Sequence, residues 1–374
     1  MDKYSGDARI TEEALERLRK QIGVERDARP WASLMSFDTA RHYAQYCLGS
    51  DNPLWLDPEY GARSVFGAPM PPPTAEYVAC SADKRLGGPG LPGIFALHAE
   101  DEWIFYTPVR IGDVLRARIK LAEMDVRESR WGGRSIWQTV EIAFFNPEGT
   151  RVSVYRPTTV RAERPRAREQ KKYEPREPHR YTDAEMVAIF RDYEAEAIRG
   201  AEPRYVEDVR PGDSLGHVVK GPLAVMDLMC WWIGAGGPYV QAFKQRYLIQ
   251  KQYPTLAIRD PRTNIPRSPE DAHFDVDYAR HSGVGEMYDI GRQRTVSVVH
   301  LATNWCGDTG RLGRLKMQFT LPNYTGDTTW YRGQVQEVDV ATGRVVVAVW
   351  GENQRGERHT TGTVEIVLPR RGGL

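Results

Sequence analysis

The sequence predicts an α+β fold made of two similar halves. Its 374 residues exceed one ordinary domain and suit two of middling size. Alternating apolar and polar residues, the pattern of half-buried strands, recur late in each half, as in 135–145 and 343–350. Each half is expected to begin with a short helix, over 37–48 and 223–233, followed by a longer helix. An antiparallel sheet wrapped around one central helix accounts for this order.

The two halves carry the same marks in the same order, which indicates an internal duplication. Asp57-Pro-Glu-Tyr-Gly-Ala-Arg in the first half reappears as Asp275-Val-Asp-Tyr-Ala-Arg in the second. Further on, a Gly-Asp turn at Gly112-Asp113 reappears at Gly326-Asp327, and each turn precedes a β-rich stretch. The two pairs are separated by nearly the same number of residues.

A charged stretch separates the halves. Residues 161–180 are rich in arginine, lysine, glutamate and proline and nearly lack apolar side chains, which is typical of a solvated linker. A basic docking strip for an acidic carrier protein or for CoA phosphates is the alternative. A helix should follow, with Thr182 and Glu185 as a capping box and Gly200 as its stop. We therefore predict an N-terminal half over 1–160, a linker and helix over 161–201, and a C-terminal half over 202–374.

Composition excludes several classes of protein. The net charge of +1 gives no global attraction to nucleic acid or membrane surfaces. No apolar run approaches the roughly 20 residues needed to cross a bilayer, and the N-terminus lacks the apolar core of a signal peptide. No metal cluster or dinucleotide fingerprint is evident. Four cysteines without CxxC spacing fit a reducing cytoplasm and a protein without disulfides: Cys47, Cys80, Cys230 and Cys306.

The run from Gly49 to Pro58, GSDNPLWLDP, resembles the hydratase motif Asp-x-Asn-Pro-x-His-x-Asp of MaoC-like proteins and (R)-specific enoyl-CoA hydratases. The segments that lead into both Gly-Asp turns resemble the third strand of that family. The stretch 288–308 resembles the same part of long, two-half acyl dehydratases. This resemblance covers nearly the whole chain outside the linker. It implies a double hot-dog fold, in which the two halves form a pseudo-dimer.

The resemblance also implies a lyase activity. Such enzymes hydrate trans-2-enoyl thioesters or run the reverse dehydration. In them a histidine and an aspartate manage the water and the proton, and a glycine N–H at the start of the long helix receives the thioester oxygen. A helix start suits this role because it has unpaired donors and a positive dipole end. The implied chemistry needs no separate cofactor, since CoA or phosphopantetheine is part of the substrate. An acyl carrier protein and a second copy of the chain are the partners it allows.

In the N-terminal half the motif is incomplete. Asp51 matches the family aspartate, but Trp55 stands at the place of the histidine and Pro73 at the place of the helix-start glycine. Tryptophan cannot act as a base and proline has no N–H. This half is therefore predicted to bind substrate and to shape the acyl tunnel without catalysing.

The C-terminal half keeps what the other half lacks. His273 matches the family histidine and Gly291 the helix-start glycine, whereas Ser268 replaces the aspartate after an insert over about 237–267. The carboxylate partner of His273 stays open, and Asp289 is read either as a helix N-cap or as a catalytic group. The candidates near it in sequence are Glu270, Asp271, Asp275, Asp289 and Asp308.

These patterns predict a hydratase or dehydratase of acyl thioesters. His273, Gly291, Asp289 and Asp271 are its candidate catalytic residues. Trp55, Asp51, His300 and Asn304 are the candidate substrate-binding residues, although His300 also fits a core histidine. His98 is placed on a strand without a matching partner. A hot-dog thioesterase, a non-catalytic acyl-binding partner and a recruited catalyst of another biosynthetic reaction remain alternatives.

Overall fold

A computed structural model describes residues 9–129, 133–163, 176–237, 241–282 and 284–372. Ten strands form one sheet in the order β1-β3-β4-β5-β2-β9-β12-β11-β10-β6, and two short strands form a separate hairpin, β7-β8. The strands are β1 Arg26–Asp27, β2 Phe95–Phe105, β3 Arg116–Ser129, β4 Gly133–Phe145, β5 Arg151–Ala162, β6 Ser214–Lys220, β7 Ile258–Arg259, β8 Pro266–Arg267, β9 Arg311–Phe319, β10 Thr329–Asp339, β11 Arg344–Asn353 and β12 Arg358–Val367.

The middle of the sheet joins the two halves. There β2 of the first half pairs antiparallel with β9 of the second, and Glu102 faces Lys316 across the junction. The order of strands to one side mirrors the order to the other side, so the two halves are arranged as a pseudo-dimer. The prediction of an α+β fold with two joined hot-dog halves is confirmed.

The duplicated Gly-Asp turns have the same geometry. Gly112 and Gly326 both have positive φ, 99° and 85°, which L side chains rarely adopt. In each turn the aspartate carboxylate accepts from a backbone N–H three residues earlier: Asp113 from Arg110 at 2.9 Å and Asp327 from Tyr324 at 3.4 Å. Each turn then leads into a long strand of its half, as the sequence predicted.

Among the described residues, one helix is both long and central. This helix, α9 (Gly291–Cys306), buries most of its residues against the sheet, and its neighbours include β6, β9 and β10. The helices are α1 Glu12–Arg19, α2 Phe37–His42 (continued by a π-helix, Tyr43–Leu48), α3 Pro53–Leu56, α4 Pro58–Arg63, α5 Asp183–Glu194, α6 Val225–Ala235, α7 Phe243–Gln252, α8 Val276–Ser282 and α9 Gly291–Cys306. The short first helices predicted for both halves are thus present.

The longer helix predicted for the N-terminal half is wrong. After Pro71-Pro72-Pro73 the chain forms only two 3₁₀ turns, Ala75–Ala79 and Lys84–Gly87. Thr74, directly after the prolines, has a positive φ of 75°, which lies outside the helical region, and the glycines and prolines over 87–93 disfavour a helix beyond it. Central helix packing is therefore supplied by the C-terminal half, within one apolar core that includes residues of both halves.

The region between the halves differs in part from its prediction. Arg161 is buried at the end of β5 and donates to the carbonyls of Gly87, Gly88 and Ile94, so the solvated linker cannot begin at 161. Residues 164–175 lie outside the described part of the chain. The capping box of Thr182 and Glu185 is present, with Thr182 N donating to Glu185 Oε2 at 2.7 Å. Helix α5 ends at Glu194, before Gly200.

No helix within the described ranges is long and apolar enough to cross a membrane.

Candidate active site

The start of α9 offers a hydrogen-bond donor without a partner. Gly291 is its first residue, and none of the described groups accepts from the Gly291 N–H. The preceding residue, Ile290, is extended, and its own N–H donates to Gln293 Oε1 at 2.9 Å. Because the N-terminus of a helix also carries a partial positive charge, this N–H is suited to an oxygen that becomes negative.

His273 is held beside this helix start. It ends a 3₁₀ turn, and its Nδ1 donates to the carbonyl oxygen of Tyr288 at 2.8 Å. The carbonyl fixes the tautomer, so Nε2 keeps its lone pair. Burial lowers the pKa of His273 below its ordinary value, against the opposing effects of the Tyr288 carbonyl and Asp289. At neutral pH the ring is therefore a neutral base.

Three of the carboxylates near His273 in sequence, those of Asp271, Asp275 and Asp289, are bound to arginines. Asp271 accepts from Arg267 Nε at 2.8 Å, so its partner is not His273. Asp289 is buried and accepts from Arg294 Nε and Nη2 at 2.7 and 2.6 Å. It does not cap α9, because Arg294 holds both its oxygens and Ile290 occupies the cap position. Among the described side chains, no carboxylate forms a hydrogen bond with His273.

A second histidine lies against the helix start, contributed by the N-terminal half. A β-carbon built on Gly291 would lie 3.0 Å from His98 Cβ and 3.5 Å from His98 Nδ1. His98 Nε2 is bonded to Asp101 Oδ1 at 2.5 Å. The expectation that His98 has no partner is wrong. A bulge between His98 and Glu100 turns His98 and Asp101 toward each other, and neither residue type nor spacing reveals a bulge in a single sequence.

Asp101 connects this histidine to α9. It is buried, and it accepts from Tyr155 Oη at 2.7 Å and from Thr295 Oγ1 at 2.6 Å. The Tyr155 hydroxyl in turn accepts from Arg292 Nε at 2.8 Å. Burial alone would raise the pKa of Asp101, but the bonded His98 ring and the charge of Arg292 hold it below its ordinary value. An ionised aspartate therefore supports the histidine at the junction of the halves.

A cavity lies between the two halves, away from the start of α9: residues of the N-terminal half form most of its wall, and the end of α9 and the start of β9 form the rest. The space of about 870 Å³ that it spans includes open solvent, and the half-buried Pro73 and the buried Trp55 form part of its wall. Buried Glu76 adds a carboxyl group, whose pKa is raised by burial. Asp51 is exposed and is not among the lining residues. Trp55 is thus placed where a ligand in this cavity could contact it, and the predicted role of Asp51 in substrate binding stays a prediction.

His300 and Asn304 lie in the interior, one turn apart on α9. Lys220 Nζ donates to His300 Nδ1 at 2.9 Å and to the Leu48 carbonyl at 2.6 Å. Burial lowers the pKa of Lys220 to about 8 and lowers that of His300 as well. His300 Nε2 and Asn304 Oδ1 are buried without a hydrogen-bond partner in the described structure. The cluster reaches the Leu48 carbonyl, directly before the run from Gly49 to Pro58, but neither side chain lines the cavity beside Trp55.

No group of three or more histidine, cysteine, aspartate or glutamate side chains in the described residues has an arrangement that could hold a metal ion.

Comparisons with known proteins bear on this geometry. A protein-family model, that of the FAS1-like dehydratase domain region, matches residues 20–154 of this chain. The chain is also 30% identical, over 102 residues, to the 3-oxo-4,17-pregnadiene-20-carboxyl-CoA hydratase beta subunit of Mycobacterium tuberculosis H37Rv. That match covers 27% of this chain and 77% of the relative. The chain belongs to the MaoC-like dehydratase and hydratase family.

Solved structures agree with the fold of this MaoC-like protein. A MaoC-like dehydratase superposes with a TM-score of 0.66 at 17% identity, over 94% of this chain and 100% of the other. A MaoC domain protein from Chloroflexus aurantiacus gives a TM-score of 0.56 at 12% identity, over 94% and 96%. A Mycobacterium tuberculosis protein with a double hotdog fold gives 0.53 at 13% identity, over 93% and 96%. The predicted family is confirmed.

Proposed function

We propose that this MaoC-like protein hydrates a 2-enoyl thioester, or dehydrates a 3-hydroxyacyl thioester, at the start of α9. One observation carries the proposal. The Tyr288 carbonyl holds His273 with Nε2 unprotonated, three residues before a helix start whose Gly291 N–H is unpaired. A base and an oxyanion donor close together are what addition of water to an enoyl thioester requires.

In the hydration direction, His273 Nε2 takes a proton from water while the water oxygen bonds to C3. The electron pair of the double bond moves to the thioester oxygen, and the resulting enolate is stabilised by the Gly291 N–H and the helix dipole. A neighbouring acid then gives a proton to C2, and His273 passes its proton to solvent, which reprotonates that acid. Burial favours the neutral form of His273 that the first step needs.

The thioester class is supported from two sides. The relative from Mycobacterium tuberculosis is by name a hydratase of a carboxyl-CoA compound. An unpaired helix-start N–H is also the type of donor that a thioester carbonyl accepts. CoA or a carrier's phosphopantetheine would enter as part of the substrate, and no further cofactor is proposed. The cavity beside Trp55 would hold a part of the substrate that does not react, since Trp55 and Pro73 supply neither base nor donor.

The experiment is a panel of enoyl-CoA thioesters of increasing size, assayed by loss of enoyl absorbance and, in parallel, by release of free thiol. We expect the absorbance to fall without thiol release. His273→Ala should lower turnover by about 10²–10⁴-fold, the usual contribution of a positioned base. His217→Gln, on β6 and bonded to the Asp192 carbonyl, is a matched control that should leave it unchanged. Thiol release by the wild type would favour a thioesterase, and full turnover by His273→Ala would remove His273 from the reaction.

A further inference from the structure

We propose that His98 of the N-terminal half is a second acid–base group of this site, which exchanges the proton at C2 of the thioester. The proposal rests on the proposed function and extends it to a residue outside the hydratase-like motif. In it each half supplies one histidine to a single site at the start of α9.

Close contact with the helix start is the first argument. The His98 ring packs against Gly291 so tightly that even a β-carbon there would be 3.1 Å from its Cγ. Its Nδ1 would be 3.5 Å from that carbon, so this nitrogen lies at the same helix end as the unpaired N–H. A thioester oxygen bonded to Gly291 would bring C2, one bond beyond the carbonyl carbon, into the neighbourhood of His98.

The hydrogen bonds of the ring indicate which nitrogen reacts. The Asp101 carboxylate only accepts, so His98 Nε2 carries a hydrogen and donates it over 2.5 Å. The Nδ1 nitrogen then has the lone pair. An aspartate that orients a histidine and stabilises its protonated form is a recurrent arrangement in acid–base catalysis.

The groups around His98 favour an acid–base role over a purely structural one. Two hydroxyl groups, from Tyr155 and Thr295, fix the Asp101 carboxylate in addition to His98. Arg292 donates to Tyr155 and forms no salt bridge within the described residues, although it is only partly exposed. The ring is itself partly exposed, unlike buried Asp101, so His98 is accessible to a ligand.

The site also needs a second titratable group. Ser268 stands where the family motif has aspartate, and that hydroxyl cannot replace a carboxylate in proton transfer at neutral pH. Arg267 and Arg294 bind the carboxylates of Asp271 and Asp289. His98 contacts the helix start directly, and its Nδ1 offers a lone pair there in addition to that of His273.

The reaction is easiest to follow as dehydration. His98 Nδ1 removes a proton from C2, and the electron pair forms the enolate held at the Gly291 N–H. The enolate collapses, the double bond forms between C2 and C3, and the C3–O bond breaks. The leaving hydroxide takes a proton from protonated His273 Nε2 and departs as water. Solvent returns a proton from His98 to His273 before the next turnover, so atoms and charges balance. Hydration is the reverse.

The test uses the full-length protein and two readouts. The first is kcat for hydration of an enoyl-CoA that the wild type accepts. The second is exchange of the C2 hydrogen of the matching 3-hydroxyacyl-CoA in D₂O, followed by mass spectrometry. His98→Gln should lower both by about 10²–10⁴-fold, keep KM within a few-fold, and remove one ionisation from the pH profile of kcat. Asp101→Asn should lower both rates as well, because the asparagine cannot stabilise the protonated ring.

The outcomes separate this inference from the proposed function. If the wild type hydrates enoyl thioesters while His98→Gln keeps its kcat and pH profile, the function stands and His98 has no part in it. If the wild type acts on no thioester, the proposed function itself fails. Should His98→Gln lower the melting temperature, His98→Asn provides a smaller replacement. A loss of kcat without loss of C2 exchange in a folded variant would also overturn the proposal.

Discussion

The hydroxyl of Tyr60 donates a hydrogen bond to Asp308 Oδ2 at 2.7 Å, which links helix α4 of the N-terminal half to the residues that follow α9 in the other half. Burial is the main reason why the pKa of Asp308 is raised, and the hydrogen bond from Tyr60 opposes it.

Tyr60→Phe should therefore lower the free energy of unfolding by about 1–3 kcal/mol, because it leaves a buried acceptor without its donor. Urea denaturation followed by tryptophan fluorescence measures the change. Tyr247→Phe, on the exposed helix α7, is the control and should have no measurable effect. Equal stability of the two variants would show that the link between the halves contributes nothing.

A pair of substitutions at Gly291 separates the contribution of its N–H to catalysis from the effect of adding a side chain. The sequence alone suggests that proline is tolerated at a helix start, but any β-carbon here would contact His98 at 3.0 Å. Gly291→Ala adds that contact and keeps the N–H, whereas Gly291→Pro adds it and removes the N–H. Ile290, with φ −86° and ψ 120°, already has a conformation compatible with a following proline.

Relative to Gly291→Ala, we expect Gly291→Pro to lower kcat a further 10²–10³-fold or so, the usual loss for one oxyanion donor. Circular dichroism should show both variants folded. Equal kcat in the two would mean that the N–H is not the donor.

Trp55→Ala tests whether the N-terminal half binds substrate without taking part in catalysis. The side chain is 2% exposed and lines the cavity, so its loss should lower the free energy of unfolding by about 3–5 kcal/mol and weaken substrate binding. Turnover at saturating substrate should change only a few-fold, since Trp55 takes no part in proton transfer. Trp31→Ala, at a tryptophan that is 54% exposed, is the control for stability. A loss of kcat as large as that of His273→Ala would contradict this assignment.

His359 should make stability depend on pH. It is fully buried between Thr329 Oγ1 and Thr360 Oγ1, at 2.9 and 2.8 Å, and burial lowers its pKa to about 3. In the unfolded chain a histidine has a pKa of about 6.5. Between these values the unfolded state binds a proton that the folded state does not, so stability falls as pH falls from about 6.5 toward 3.

For His359 alone, the free energy of unfolding changes with pH by at most about 1.4 kcal/mol per pH unit. Unfolding of the wild type and of His359→Gln in urea at pH 7.5, 6 and 5 measures it. The variant is less stable at pH 7.5 but should lose less stability on acidification. Parallel curves for the two proteins would exclude His359 as a source of the pH dependence.

The duplication made most of the fold predictable from sequence. The Gly-Asp turns report backbone conformation directly, because positive φ restricts the choice of residue, and strands follow them in both halves. Analogy between the halves failed at one point, because it predicted a long helix that the N-terminal half does not form. There a residue with positive φ follows Pro71-Pro72-Pro73, and a stretch rich in glycine and proline lies over 87–93, so similar flanking motifs enclose different local structure.

The sequence predicted only those parts of the candidate site whose residues lie near one another along the chain. His273 and Gly291 follow from motif spacing, and the Tyr288 carbonyl between them is near in sequence. The ion pairs that bind Asp271 and Asp289 depend on how Arg267 and Arg294 are directed by the tertiary structure. The contact of His98 with Gly291 depends on the pairing of β2 with β9 and on a bulge. Neither feature produces a recognisable pattern in a single sequence.

The pairing of β2 with β9 also constrains how the chain acquires its structure. On the ribosome β2 emerges early, whereas β9 lies far beyond the linker, so the nascent first half has an open hydrogen-bonding edge for much of its synthesis. An unpaired edge strand of this kind can form hydrogen bonds with strands of other chains. The charged residues of that edge, Glu100, Asp101 and Glu102, discourage such pairing, and Lys316 opposite Glu102 makes the native partner the favoured one.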